Sequence, residues 1–163
     1  SMAGKMPIHL DLAGNNCTVF GGGRNTVRRV KEFLHFGAKV TVISPAVCPE
    51  LQALLDSNDI RYIPRKYFRG DCSNSQICVA ATDNPAVNIS IATECKAKRI
   101  LVNVTNPVEY GNFEFPRTVT LEDLVLSVGG DAPRSVLKST RNQLREEIPQ
   151  ILEKARREGT TEE

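Results

Sequence analysis

The sequence predicts an α/β fold, a parallel sheet with helices on both faces, followed by a small C-terminal α/β region. Three observations carry this. Short, almost wholly apolar runs alternate with segments of helical period from Cys17 to Val104. A glycine triplet, Gly21-Gly22-Gly23, stands between the first apolar run and the first helical segment. After Asn106 the alternation gives way to two strand-like runs and one long helical pattern.

The first run, "CTVF" at 17–20, lies between Asn15-Asn16 and the glycines, as a buried strand does. Val27, Val30, Phe33, Leu34 and Phe36 then recur at helical spacing until Gly37, a helix stop. "KVTVI" at 39–43 is rich in β-branched residues and ends at Ser44-Pro45. Strand, helix and strand thus fit the span of a parallel crossover. A helix over 49–56, a short strand over 60–63 and a polar connection through Phe68-Arg69-Gly70-Asp71 follow. A fourth strand over 77–81 feeds "TDNPAVN", where Pro85 suits the first turn of a helix running to Lys98, and a fifth strand covers 100–104. Beyond these, 113–119 and 124–128 read as a hairpin joined by "TLED". Residues 132–148 read as a helix that Pro149 interrupts, with a frayed charged segment after it. The expected divisions are 6–112, 113–150 and a tail over 151–163.

Composition excludes several classes. The 163 residues carry a net charge of +2, with Lys and Arg spread along the chain, so nucleic acid is not an expected partner. No apolar stretch approaches a membrane span and no charged-then-apolar leader opens the chain, so a cytoplasmic protein without membrane contact is expected. Ser1–Lys5, "SMAGK", resembles the remnant of a vector-encoded leader and stays outside the fold argument. The five cysteines show no C-x-x-C pair and no neighbouring histidine, so the spacing predicts reduced core thiols and no metal site. His35 reads as structural and His9 belongs to a short leading segment.

Gly21 and Gly23 form G-x-G, and Thr26 occupies the place of the usual third glycine or alanine. One glycine permits the sharp turn, another lets backbone approach a diphosphate, and the helix N-terminus offers free amides to the negative charge. The flanking strand, helix and strand are the context this motif requires. Gly21, Gly22, Gly23, Arg24, Asn25 and Thr26 are therefore candidate dinucleotide contacts, against the alternative of a plain turn. The second strand ends in Ser44-Pro45-Ala46, with neither an acid for ribose hydroxyls nor a base for a 2′-phosphate. A third strand end, Ala81-Thr82-Asp83, converges on the same crevice; Asp83 reads equally as a helix N-cap.

Four segments, "VFGGGRNTVRRVKEFLHFGAKVTVISP", "VAATDNPAVN", "ILVNVTNPVEYGNFEFP" and "LSVGGDAPRSVLKSTRNQLREEI", resemble the N-terminal region of siroheme synthases, including stand-alone precorrin-2 dehydrogenases and sirohydrochlorin ferrochelatases. The resemblance implies a Rossmann-like domain with NAD as cofactor, a dimerisation region and a homodimer. It implies dehydrogenation of the tetrapyrrole precorrin-2 to sirohydrochlorin, with iron insertion in some members. Where the family carries an aspartate in a segment like "NVVD", this chain has Asn103-Val104-Thr105-Asn106, which puts Asn106 at the catalytic position. A neutral amide is a poor proton acceptor, and losing a positioned general base costs about two to four decades in rate. Asn103, Arg117, Gly129, Gly130, Arg134 and Lys138 are the implied substrate contacts, the cations facing the substrate's carboxylates. Asp83, Glu109, Glu114 and Asp131 are alternative carboxylates. A second reading is a dinucleotide- or tetrapyrrole-binding module that kept the fold and lost the chemistry.

Overall fold

A computed structural model describes residues 4–159. Residues 8–114 form one compact unit; residues 4–7 and 115–159 belong to a second. The first holds β1 (Asn16–Phe20), α1 (Arg24–His35), β2 (Lys39–Ile43), α2 (Pro49–Ser57), β3 (Arg61–Ile63), β4 (Ile77–Ala80), α3 (Pro85–Ala97) and β5 (Leu101–Val104). The second holds β6 (Arg117–Leu121), β7 (Leu124–Val128) and α4 (Arg134–Gly159).

The five strands of the first unit are all parallel and run β3-β2-β1-β4-β5. This is the order of a doubly wound nucleotide-binding half, with its switch point between β1 and β4. Register aligns Phe20, Ile43, Ala80 and Val104, and these cluster with Ile91, Ala92 and Cys95 of α3. The alternate positions, among them Val19, Val42 and Val79, occupy the other face, where α1 lies over β1 and β2. Val27, Val30 and Phe33 of α1 are buried, as an apolar stripe at three-residue spacing requires. The helix stop works as expected: Gly37 adopts φ +81° and Ala38 N donates to Phe33 O at 3.0 Å.

The edge strand β5 is finished by a side chain. Asn112 accepts from Val102 N at 2.8 Å through Oδ1, and its Nδ2 donates to Ile100 O at 3.1 Å. One amide thus pairs the backbone groups that an open edge would expose.

In the second unit β6 and β7 pair antiparallel, turning at Glu122 with φ +53°. The hairpin therefore starts at Arg117, four residues later than the sequence suggests, and Phe113 lies before it. The larger correction concerns α4, which runs 26 residues through Pro149 without interruption. Leu137, Arg141, Leu144, Ile148 and Leu152 recur on one partly buried stripe, and α4 packs on both strands. That stripe holds helix on both sides of the proline. Arg156 beyond it donates to Glu122 at 2.8 Å and to Asp123 at 2.6 Å. The expected tail over 151–163 is therefore the last part of α4 as far as 159; residues 160–163, like Ser1–Ala3, lie outside the described residues.

A proline inside a helix deletes one backbone bond and crowds the preceding turn, at a cost of about 3 kcal/mol. Pro149→Ala is expected to raise stability by about 1–3 kcal/mol. Thermal unfolding followed by circular dichroism checks this; an unchanged or lower midpoint contradicts the packing account of α4.

Candidate cofactor site

The glycine turn is built by close backbone approach. Gly21 has φ +124°, and a Cβ there would collide with the Ala81 carbonyl oxygen. Its own N–H donates to Ile43 O at 3.1 Å while Ala81 N donates to Phe20 O at 2.8 Å. The ends of β1, β2 and β4 are thus knitted at one point. A Cβ on Gly22 would strike the Ala46 carbonyl oxygen, and Gly22 O accepts from Cys48 N at 2.7 Å. These two glycines serve the chain's own packing.

Gly23 differs, because a Cβ there meets only the Asn25 side chain, at 3.1 Å. It is the extended N-cap of α1, with no side-chain cap and no acidic residue in the first turn. Thr26 is wholly buried, its N–H and hydroxyl both donating to Gly23 O at 3.1 Å and 2.8 Å. That leaves the amides of Arg24 and Asn25 without an intrahelical acceptor. Free amides, the positive end of α1 and no competing carboxylate on its first turn make a donor set that fits a nucleotide diphosphate.

A cavity of about 330 Å³ opens over this turn. Gly21, Gly22, Gly23, Ser44 and Pro45 line one part of it, and Ala81, Thr82 and Asp83 another. Arg24, Asn25, Thr26 and Ala46 are not in the lining. Arg24 is exposed and pairs with Glu50 at 3.2 Å. Ala46 contributes its carbonyl to the Ser44 hydroxyl at 2.7 Å. A second, polar cavity of about 400 Å³, lined by Asn16, Asn74 and Gln76, lies where β1 and β4 begin, the opposite end from ligand crevices in such sheets.

Sequence reasoning missed Lys66 and Tyr67, which enter the cavity lining from the long β3–β4 connection. They belong to no motif, and only the strand order brings that connection across the switch point. Lys66 brings a cation into the lining, where the end of β2 has none. The connection is fastened by two carboxylates. Asp71 takes two bonds from Arg65, at 2.8 Å and 3.0 Å, and one from Phe68 N at 2.7 Å. Glu94 on α3, 6% exposed, accepts from Tyr67 Oη at 2.6 Å, Gly70 N at 2.7 Å, Cys72 N at 3.0 Å and Lys98 Nζ at 2.8 Å. Burial pushes this carboxyl up, but the bonds from Lys98, Tyr67, Gly70 and Cys72 outweigh it and hold it at about 2.

Asn88 is a second residue that sequence patterns do not single out. It is wholly buried on α3; Oδ1 accepts from Thr82 N at 3.0 Å and Thr82 Oγ1 at 2.7 Å. Its Nδ2 donates to Thr82 O at 3.1 Å and Asn106 O at 2.9 Å. One side chain therefore locks the loops after β4 and β5 together. The α3 N-cap is Asn84, whose Oδ1 accepts from Ala86 N at 3.0 Å and Val87 N at 3.4 Å. Asp83 is consequently not the cap; it is exposed and faces the cavity.

Asn106 is exposed at the end of β5. Asn103 donates to Phe113 O at 3.4 Å. Arg117, Gly129, Gly130, Arg134 and Lys138 belong to the second unit, with Arg117 on β6, both glycines between β7 and α4, and Arg134 and Lys138 one turn apart on α4. His35 is exposed, its ring edge-on to Phe36 at 4.9 Å.

The fold and this turn define a dinucleotide-binding protein, and comparison with known proteins agrees. The family described as putative NAD(P)-binding matches residues 8–117, and the chain belongs to that family. Within it the chain groups with siroheme synthases and precorrin-2 dehydrogenases. It is 32% identical over 139 residues to the precorrin-2 dehydrogenase of Bacillus subtilis, covering 84% of this chain and 85% of that one. It is 32% identical over 145 residues to the siroheme synthase of Chromobacterium violaceum, covering 88% of this chain and 31% of the relative. The chain thus spans about a third of the siroheme synthases it matches. The solved structure of SirC, a precorrin-2 dehydrogenase, superimposes with a TM-score of 0.71 at 30% identity, covering 86% of this chain and 69% of SirC.

Two outcomes follow from the site. Lys66→Ala is expected to weaken NADP binding by about two- to fivefold, the size of an exposed ion pair, and NAD binding less; titration with both coenzymes measures the ratio. Glu94, held below its ordinary 4.5, stabilises the fold above about pH 4.5, and that contribution disappears as pH falls towards 2. Glu94→Gln should lower stability at neutral pH by up to roughly 3 kcal/mol and flatten the pH dependence in that window. Urea unfolding at several pH values decides; an unaltered acid limb contradicts the assignment.

Proposed function

We propose that this chain is an NAD-dependent precorrin-2 dehydrogenase that forms sirohydrochlorin and works as a homodimer. The observation that carries the proposal is the uncapped N-terminus of α1 delivered by Gly21–Gly23 into a cavity at the β1/β4 switch point. When bound, NAD would supply the hydride acceptor for the oxidation, which also releases a proton from the substrate. The chain's part is to hold the diphosphate on the α1 amides, to orient the rest of the cofactor between Ser44-Pro45 and Thr82-Asp83, and to receive the proton. Asp83 is the carboxylate that lines the cavity, and it is assigned the proton-accepting role that Asn106 cannot fill. Asn106 retains a donor for a substrate carboxylate. Arg117, Arg134 and Lys138 are proposed, on the family resemblance, as partners of substrate carboxylates.

The homodimer is supported by the second unit's small core. A hairpin and one helix fully bury only Val119 and Ile148 among their described apolar residues, too little for independent stability. Val136 and Ile151 of α4 remain half exposed.

Asn106 supports a second reading, a binding module without turnover. Purified protein incubated with NAD and precorrin-2 separates the two. NADH should form with the native chain, and Asp83→Asn should slow it by about two to four decades. No NADH from the native chain, together with turnover by Asn106→Asp, assigns the protein to the binding-module reading.

A further inference from the structure

Cys72, Cys78 and Cys95 share no short ligand spacing in sequence, yet their three sulfurs lie within 4.8 Å of one another. Each comes from a different element: Cys72 from the β3–β4 connection, Cys78 from β4 and Cys95 from α3. All three are wholly buried, beneath α3 on the face shared with Phe20 and Ile91. Cys17 is excluded from the set by register. It aligns with Ile77, so its side chain leaves the opposite face of the sheet from Cys78. No histidine, carboxylate or fourth cysteine joins the group among the described residues.

We propose that these three thiols form a three-coordinate site for a soft monovalent cation of the Cu(I) type. Thiolate sulfur selects soft ions, and zinc in structural sites takes four ligands where this site offers three. Three sulfurs bound at about 2.3 Å in one plane stand about 4.0 Å apart, so the cluster needs to contract by less than about 1 Å. Binding forms three Cu–S bonds and breaks three S–H bonds, whose protons pass to solvent; no electron changes hands. Once seated, the ion fastens the connection carrying Lys66 and Tyr67 to β4 and α3. The site is independent of the dehydrogenase reading, since none of its sulfurs lines the cofactor cavity.

The test is anaerobic titration of the reduced full chain with Cu(I) against a chelating competitor, with X-ray absorption on the loaded protein and a thermal melt. One equivalent should bind, surrounded by three sulfurs, and the melting midpoint should rise. Cys72→Ser and Cys78→Ser should lower affinity by at least the roughly tenfold lost when even a supporting group of a metal site is removed. Cys17→Ser and Cys48→Ser should match the native chain. Failure of the native chain to retain Cu(I), nitrogen or oxygen neighbours in its absorption spectrum, or stronger retention of Zn(II) overturns the proposal. Should the Cys72 and Cys78 variants not fold, the sulfur count and stoichiometry of the native chain alone decide it.

Discussion

Main-chain contact at Gly21 and Gly22 is the constraint from which the site follows. The carbonyls of Ala81 and Ala46 sit where any Cβ would stand, so the ends of β1, β2 and β4 converge more closely than side chains permit. The convergence aims the first turn of α1 at the switch point. Had either position carried a side chain, the β2–α2 loop or β4 would be displaced and Gly23, the N-cap of α1, would no longer line the cavity. The familiar account of glycines opening a path to a diphosphate applies here most directly to Gly23; its two predecessors make room for protein.

Around that turn, buried polar side chains of α3 set the remaining walls. Asn88 spends both ends of its amide on the loops after β4 and β5, and Glu94 gathers four donors from the β3–β4 connection and its own helix. Buried groups this fully bonded are costly to disturb, because each lost partner strands a desolvated atom. A single helix therefore positions Thr82, Asn106 and Tyr67 together, although these residues come from three separate connections. That arrangement links the stability of the fold to the shape of the cofactor cavity.

The sheet was legible because its runs are short, apolar and separated by glycine, proline and capping residues; β2 and β4 begin where the pattern begins. The glycine turn was legible because phosphate binding imposes a local spacing. Lys66, Tyr67, Asn88 and Glu94 were not, since their roles arise from contacts six to 27 residues away that periodicity does not encode. Pro149 misled for a related reason: local preference ends the helix there, while the stripe through Ile148 and Leu152 and its hairpin continue it. The cysteines read correctly as buried, unpaired thiols, while the meeting of Cys72, Cys78 and Cys95 was not legible, because it arises only once β4 and α3 pack together.

The most direct test of the account is the backbone amide spectrum of the 15N-labelled chain during titration with NAD. The largest and earliest shifts should fall on Gly23, Arg24 and Asn25, with smaller ones at Thr82 and Asp83. Amides of α1 that stay unmoved at millimolar NAD, or shifts confined to residues outside the β1/β4 crevice, would contradict it.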